Sequence, residues 1–128
     1  MESTVNMLLP YAIACLEESH VQEPLADIYE SYLAQFGPMV VQLEIPCALA
    51  VYLNKNENSK GNRGRVIKWI HTILSRASFI ANSQRYDVWA RQLMQQPPAG
   101  VIEELILDAS IALKRAIRTF PLVKSEKP

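Results

Sequence analysis

The stretch Val101–Phe120, VIEELILDASIALKRAIRTF, decides the fold class. Val101, Ile102, Leu105, Ile106, Ala109, Ala112, Leu113, Ala116, Ile117 and Phe120 recur at three- and four-residue intervals. An α-helix turns about 100° per residue, so this spacing gathers them on one broad apolar face. Glu103, Glu104 and Asp108 come early and Lys114, Arg115 and Arg118 late, the order that complements a helix dipole. Leu107 and Ile111 fall on the opposite side, in line with Lys114 and Arg118. Apolar residues rimmed by charge need cover, from another helix of the bundle or from a partner subunit.

Outward from this helix the chain reads as more of the same. Pro97-Pro98-Ala99-Gly100 ends a shorter helix, Ser83–Gln95, anchored by Trp89 and Leu93. A helix over Arg65–Ile80 precedes it, with Val66, Ile67, Ile70, Ile73, Leu74 and Ala77 as its buried stripe. Asn54–Gly64, NKNENSKGNRG, is a loop. The helical stretch Met39–Leu53 contains Pro46, which lacks an N–H and crowds the preceding turn, so a break is expected near Glu44–Ile45. A second helix opens at Glu23–Pro24 and carries Leu25, Ile28, Tyr29, Tyr32 and Phe36 on one face; Gly37 is expected to stop it and Pro38 to start the next. The first helix spans Thr4–Ser19, with Pro10 kinking it or marking its start. Strand signals are scarce. The expected fold is all-α, a compact bundle of five or six helices in a single domain, with residues 121–128 a flexible tail.

A chain of 128 residues with 49% hydrophobic composition can bury one sizeable core and is too apolar for a disordered chain. No run of 18 apolar residues suggests a membrane span, and the start lacks the basic residues of a signal peptide. Two cysteines, Cys15 and Cys47, point to the cytoplasm and to free thiols buried in apolar helical patterns. The net charge of zero hides an asymmetry. Residues 1–54 hold no Lys or Arg and seven acids, so the two parts of the chain carry −7 and +7. Either a polyanion site with a complementary assembly face follows, or the helices interleave and mix the charges.

Motifs of catalysis are sparse. His20 and His71 belong to no metal-binding spacing, and no nucleophile elbow or phosphate loop occurs. The neighbours Glu17–Glu18 and Glu103–Glu104 diverge on a helix and cannot share a substrate. No enzyme, metal or cofactor is expected. Gly61-Asn62-Arg63-Gly64 has the form of a nucleotide-clamping Gly-x-x-Gly loop, but a turn before a helix explains it better, since the clamp belongs to a sheet-containing domain. Arg65, Lys68, Thr72 and Arg76 project to one side of their helix, away from its apolar stripe, with Trp69 and Phe79 at the flanks. Such a stripe suits phosphates for the cations and base stacking for the rings. Lys60 and Arg63 extend it, and Lys114, Arg115 and Arg118 are further candidate RNA contacts.

The segment Tyr29–Val51, YESYLAQFGPMVVQLEIPCALAV, resembles the early signature of the small subunit of the CRISPR type III-B effector, the Cmr complex. Tyr32, Met39, Val40, Gln42, Ile45, Ala48, Leu49 and Ala50 fall in register, and Glu104–Phe120 is similar to that family's closing helix. Glu44 stands where the family has a break glycine, and Ala116 where it has a late tryptophan. The resemblance implies a non-catalytic subunit of a cytoplasmic antiviral-defence ribonucleoprotein. Copies would stack head to tail as its minor filament, contact the backbone subunits, and line the channel that holds guide RNA and target RNA. Head-to-tail stacking needs two different complementary patches on one chain. Glu17, Glu18 and Glu30 are the candidates on the acidic side, with Leu107 and Ile111 as apolar contacts. The alternative is a helical protein–protein adaptor or homo-oligomer with no RNA role.

Overall fold

The structure, a computed structural model, describes residues 3–54, 62–82 and 84–124. Five helices make up the fold: α1 (Thr4–Gln22), α2 (Ile28–Tyr52), α3 (Gly64–Arg76), α4 (Tyr86–Gln95) and α5 (Gly100–Ile117). No strand occurs among the described residues, and the all-α class expected of the sequence is the class found. α5 is the spine. It packs along α1 and also meets α2 and α3, while α4 closes the far side against α2 and α3.

Local chemistry sets the ends. Ser3 caps α1, its hydroxyl accepting from the Asn6 N–H at 3.2 Å. Asn62 Oδ1 accepts the Gly64 N–H at 2.8 Å, a turn that feeds directly into α3. α3 ends in a Schellman arrangement. Ser78, at φ 65°, donates to the Ser75 carbonyl, and the Phe79 N–H reaches back to Leu74.

The core follows the helical periodicity. α1 contributes Leu8, Ala12, Cys15 and Leu16. α5 contributes Ile106, Ala109, Ser110, Ala112, Leu113, Ala116 and Ile117. Three alanines and a serine among those seven keep the α5 surface shallow, so its neighbours approach closely without leaving voids.

Three sequence expectations are corrected. Gly37 does not stop a helix: α2 runs on through Gly37 and Pro38, because Phe36 and Val40, one turn apart, are both core residues. Burying both outweighs the hydrogen bond that Pro38 cannot donate. The tail is not loose at its start. Val123 exchanges backbone hydrogen bonds of 2.8 Å with the Asp27 N–H and the Leu25 carbonyl, and Phe120 meets the His20 ring edge-on. Cys47 is exposed, whereas Cys15 is buried as expected. The break expected near Glu44–Ile45 is found at Glu44, with φ 67° and ψ 165°.

By length and composition α2 is apolar enough to cross a bilayer. Here its nine buried side chains, Tyr29 to Tyr52, belong to the core of the bundle.

Glu44 occupies a backbone region that only glycine adopts without strain. Replacing it by glycine, Glu44→Gly, is expected to stabilise the protein by about 1 kcal/mol, since relief of strain exceeds the added freedom of the unfolded chain. Urea unfolding of the two proteins checks this; an unchanged or lower midpoint means that the kink carries no strain.

A candidate anion-binding cleft between α1 and α3

The lower half of α1 and the outer face of α3 border a cleft of about 410 Å³. One wall is Cys15, Glu18, Ser19, Gln22 and Glu23; the other is Arg65, Lys68, Trp69, Thr72 and Arg76. The helical spacing of the basic stripe places its members together, as expected. Eleven residues separate Arg65 from Arg76, so the row extends about 16 Å along α3.

The side chains of that row have different surroundings. Arg76 is held by Glu18 through two hydrogen bonds, Nη1 to Oε2 at 2.5 Å and Nη2 to Oε1 at 2.8 Å. This bidentate pairing lowers the Glu18 pKa and raises that of Arg76. Both side chains are about half exposed, so the pair adds little stability. Arg65 lies over the rings of Tyr29 and Trp69, 4.9 and 5.2 Å from their centroids. Lys68 is exposed. Neither Arg65 nor Lys68 has a carboxylate at ion-pair distance among the described residues.

Several candidates change character. Trp69 is only 2% exposed and donates its indole N–H to the Ser19 hydroxyl at 2.9 Å, so it is no stacking platform for bases. Phe79 is half-buried and lines a separate groove with Met7, Pro10 and Tyr11. Arg63 turns inward, its guanidinium 4.6 Å from the Tyr32 ring with Nε and Nη1 buried, which removes it from the outer surface. Lys60 lies outside the described residues. Lys114 and Arg115 are on α5 and Arg118 caps its end; none of them lines the cleft. Lys114 borders a small hollow beside Leu33, Gly37 and Pro38, Arg115 is exposed, and Arg118 donates to Glu30 at 3.3 Å.

The subunit-contact candidates fare similarly. Glu18 and Glu30 are engaged within the chain, by Arg76 and Arg118, so the acidic and basic parts of the sequence meet inside one molecule. Glu17 is exposed. Leu107 and Ile111 are half-buried: Leu107 packs on the core, and Ile111 shares the hollow with α2. The bundle supplies part of their cover. The more exposed large apolar side chains are elsewhere, Val21 and Val41 among them.

Sequence reasoning missed the residues that α1 adds to the cleft, because contact between α1 and α3 is invisible at a separation of about fifty positions. It also missed Arg85 and Tyr86, which with Lys68, His71 and Thr72 line a second depression of about 310 Å³ beside the first. The cleft brings three cations, Arg65, Lys68 and Arg76, together with two carboxylates, Glu18 and Glu23. Its thiol, Cys15, is pushed by burial up to about 11 and stays protonated at neutral pH. Among the described residues no cluster of His, Cys, Asp and Glu is grouped to hold a metal. Comparison with protein-family models, with curated proteins and with solved structures finds no match.

His71 sits against the Trp89 ring at 5.2 Å, is 7% exposed, and has a buried Nε2 with no hydrogen-bond partner. Burial depresses its pKa below the usual 6.5. The folded state therefore holds fewer protons on this ring than the unfolded chain. The resulting stability is complete above the unfolded value and is lost as pH falls through the folded one. Between pH 7 and pH 5 the urea midpoint is expected to fall less in His71→Leu than in the parent protein, whatever the offset at pH 7. Equal falls mean that the ring is not titrating against burial.

Proposed function

We propose that this chain is a non-catalytic, cytoplasmic subunit of an RNA-guided effector ribonucleoprotein of the type III-B class, and that it lies against guide or target RNA through the α1–α3 cleft. The carrying observation is the pair of cations with no carboxylate at ion-pair distance among the described residues, Arg65 and Lys68, standing in a row along an open cleft about 410 Å³ in volume. A cation lacking an internal counterion is available to a phosphate at no cost of breaking an existing pair. Arg76 is a reserve: a phosphate must compete with Glu18 for it. The resemblance of Tyr29–Val51 and Glu104–Phe120 to the Cmr small subunit supports RNA as the polyanion, and larger subunits and sister copies as partners. In the cleft itself, a protonated thiol and a carboxylate committed to Arg76 suit binding better than catalysis.

A second reading, a protein adaptor without RNA, is favoured by the groove in which Met7 and Tyr11 stand partly exposed beside Phe79. The two separate cleanly in solution. Fluorescence anisotropy with a short labelled single-stranded RNA is expected to show binding that weakens with salt at a log–log slope of about −2, as for about three phosphates. Lys68→Glu, at an exposed position that leaves the core intact, is expected to weaken binding roughly tenfold and to make the slope shallower by about 0.7. Arg115→Glu on α5 serves as the control and leaves both unchanged. Absence of RNA binding by the parent chain, or indifference to Lys68→Glu, selects the adaptor.

A further inference from the structure

The second depression shares two of its five lining residues, Lys68 and Thr72, with the cleft. These two side chains therefore form a ridge with an opening on either side. On the α1 side stand Arg65 and Arg76; on the α4 side stand His71, Arg85 and Tyr86. The cationic row thus does not end at Lys68 but turns across α3 toward the start of α4.

The surroundings of the second depression differ from those of the first. Arg85 is 78% exposed, and its one carboxylate contact, Asp87, is a single hydrogen bond of 3.3 Å. Asp87 also accepts the Val88 N–H at 3.0 Å, which keeps that carboxylate turned to its own helix. Tyr86 is half-buried, in contrast to Tyr29, Tyr32, Trp69 and Trp89, all of which are buried. It is therefore the aromatic ring beside this path with a surface still open. The His71 ring completes the wall, and its Nε2 lacks a hydrogen-bond partner. Depression, exposed cation and half-open ring are features that a nucleotide unit could use, while the Nε2 of His71 is buried behind them.

We propose that this depression is a second subsite on the same strand. RNA whose phosphates lie along Arg65 and Lys68 crosses the Lys68–Thr72 ridge, brings its next phosphate to Arg85, and lays a base against Tyr86. The inference rests on the function proposed above and deepens it. Recognition at this subsite is by charge and ring face, so it is tolerant of base identity.

The test uses the full chain and the same labelled RNA, with Arg85→Glu beside Lys68→Glu. A glutamate at position 85 suits the start of α4, where the helix dipole favours negative charge, so the variant keeps its fold. Arg85→Glu is expected to weaken binding by a factor of about three to ten and to make the salt slope shallower by about 0.7. In the parent protein, the ring resonances of His71 and Tyr86 are expected to shift as RNA is added. If Lys68→Glu weakens binding while Arg85→Glu does not and both rings stay silent, the second subsite is overturned and the cleft stands. If the parent chain binds no RNA, both fall together. Equal weakening by Arg85→Glu for uridine-rich and adenosine-rich strands supports the subsite as drawn; weakening confined to one base composition overturns its tolerance of base identity.

Discussion

Trp69 is the point on which three helices close. Its indole N–H is satisfied by Ser19 on α1, its ring meets the edge of Tyr29 on α2 at 5.3 Å, and its own backbone is α3. A large ring of this kind gains from burial only if its one polar atom finds a partner. Ser19 supplies that partner from 50 positions away, fixing both the angle and the register of α1 against α3. Tyr29 is fixed in turn. It packs edge-on to Tyr32, and its hydroxyl accepts the Asn62 N–H at 3.1 Å, tying the entry of α3 to the start of α2. Two members of the cluster, Ser19 and Trp69, line the cleft. Arg65 is held over Tyr29 and Trp69 because their faces carry the negative part of the ring quadrupole, and among the described residues no carboxylate lies at ion-pair distance from it. Core and candidate site are therefore one construction.

Much of this fold was legible because helical periodicity is a strong signal. The middle of each apolar stripe is buried as expected, Val66, Ile67, Ile70, Ile73 and Leu74 on α3 and Ile106, Ala109, Ala112, Leu113, Ala116 and Ile117 on α5, whereas Val101 at the start of α5 is exposed; Pro46 gave the place of the kink to within two residues. What escaped had one physical origin: each missed feature depends on which helix lies beside which. Gly37–Pro38 reads as a stop by local propensity, yet the helix continues, since Phe36 and Val40 both find the core. Trp69 reads as a flanking ring beside cations, yet Ser19 and Tyr29 bury it. Arg63 reads as an outward cation, yet Tyr32 offers a ring face inside. The tail reads as loose, yet Leu25 and Asp27 have a carbonyl and an N–H unused by any helix, and Val123 takes both.

The charge asymmetry shows the same dependence most sharply. A sequence split into −7 and +7 suggests two faces of opposite sign. The bundle instead places α1 beside α3 and α2 beside α5, so acids from the first part lie against bases from the second. Glu18 takes Arg76, and Glu30 takes Arg118. Exposed pairs like these contribute little to stability, but they decide which cations remain to act on something outside the molecule.

Subtraction of those pairs gives the site its direction. With Arg76 and Arg118 occupied and Arg63 turned inward, the cations left along α3 are Arg65 and Lys68, and Arg85 continues from them past the ridge. A row with charge at one end only is asymmetric along its length, and a flexible polyanion gains by following the end that is not already neutralised. That asymmetry would be absent without the Glu18–Arg76 pair, for Arg65, Lys68 and Arg76 would then attract an anion alike. On the proposed reading, the ion pair between α1 and α3 acts by subtraction: it ties up one end of the stripe and leaves Lys68, which borders both depressions, as the cation a bound strand would pass.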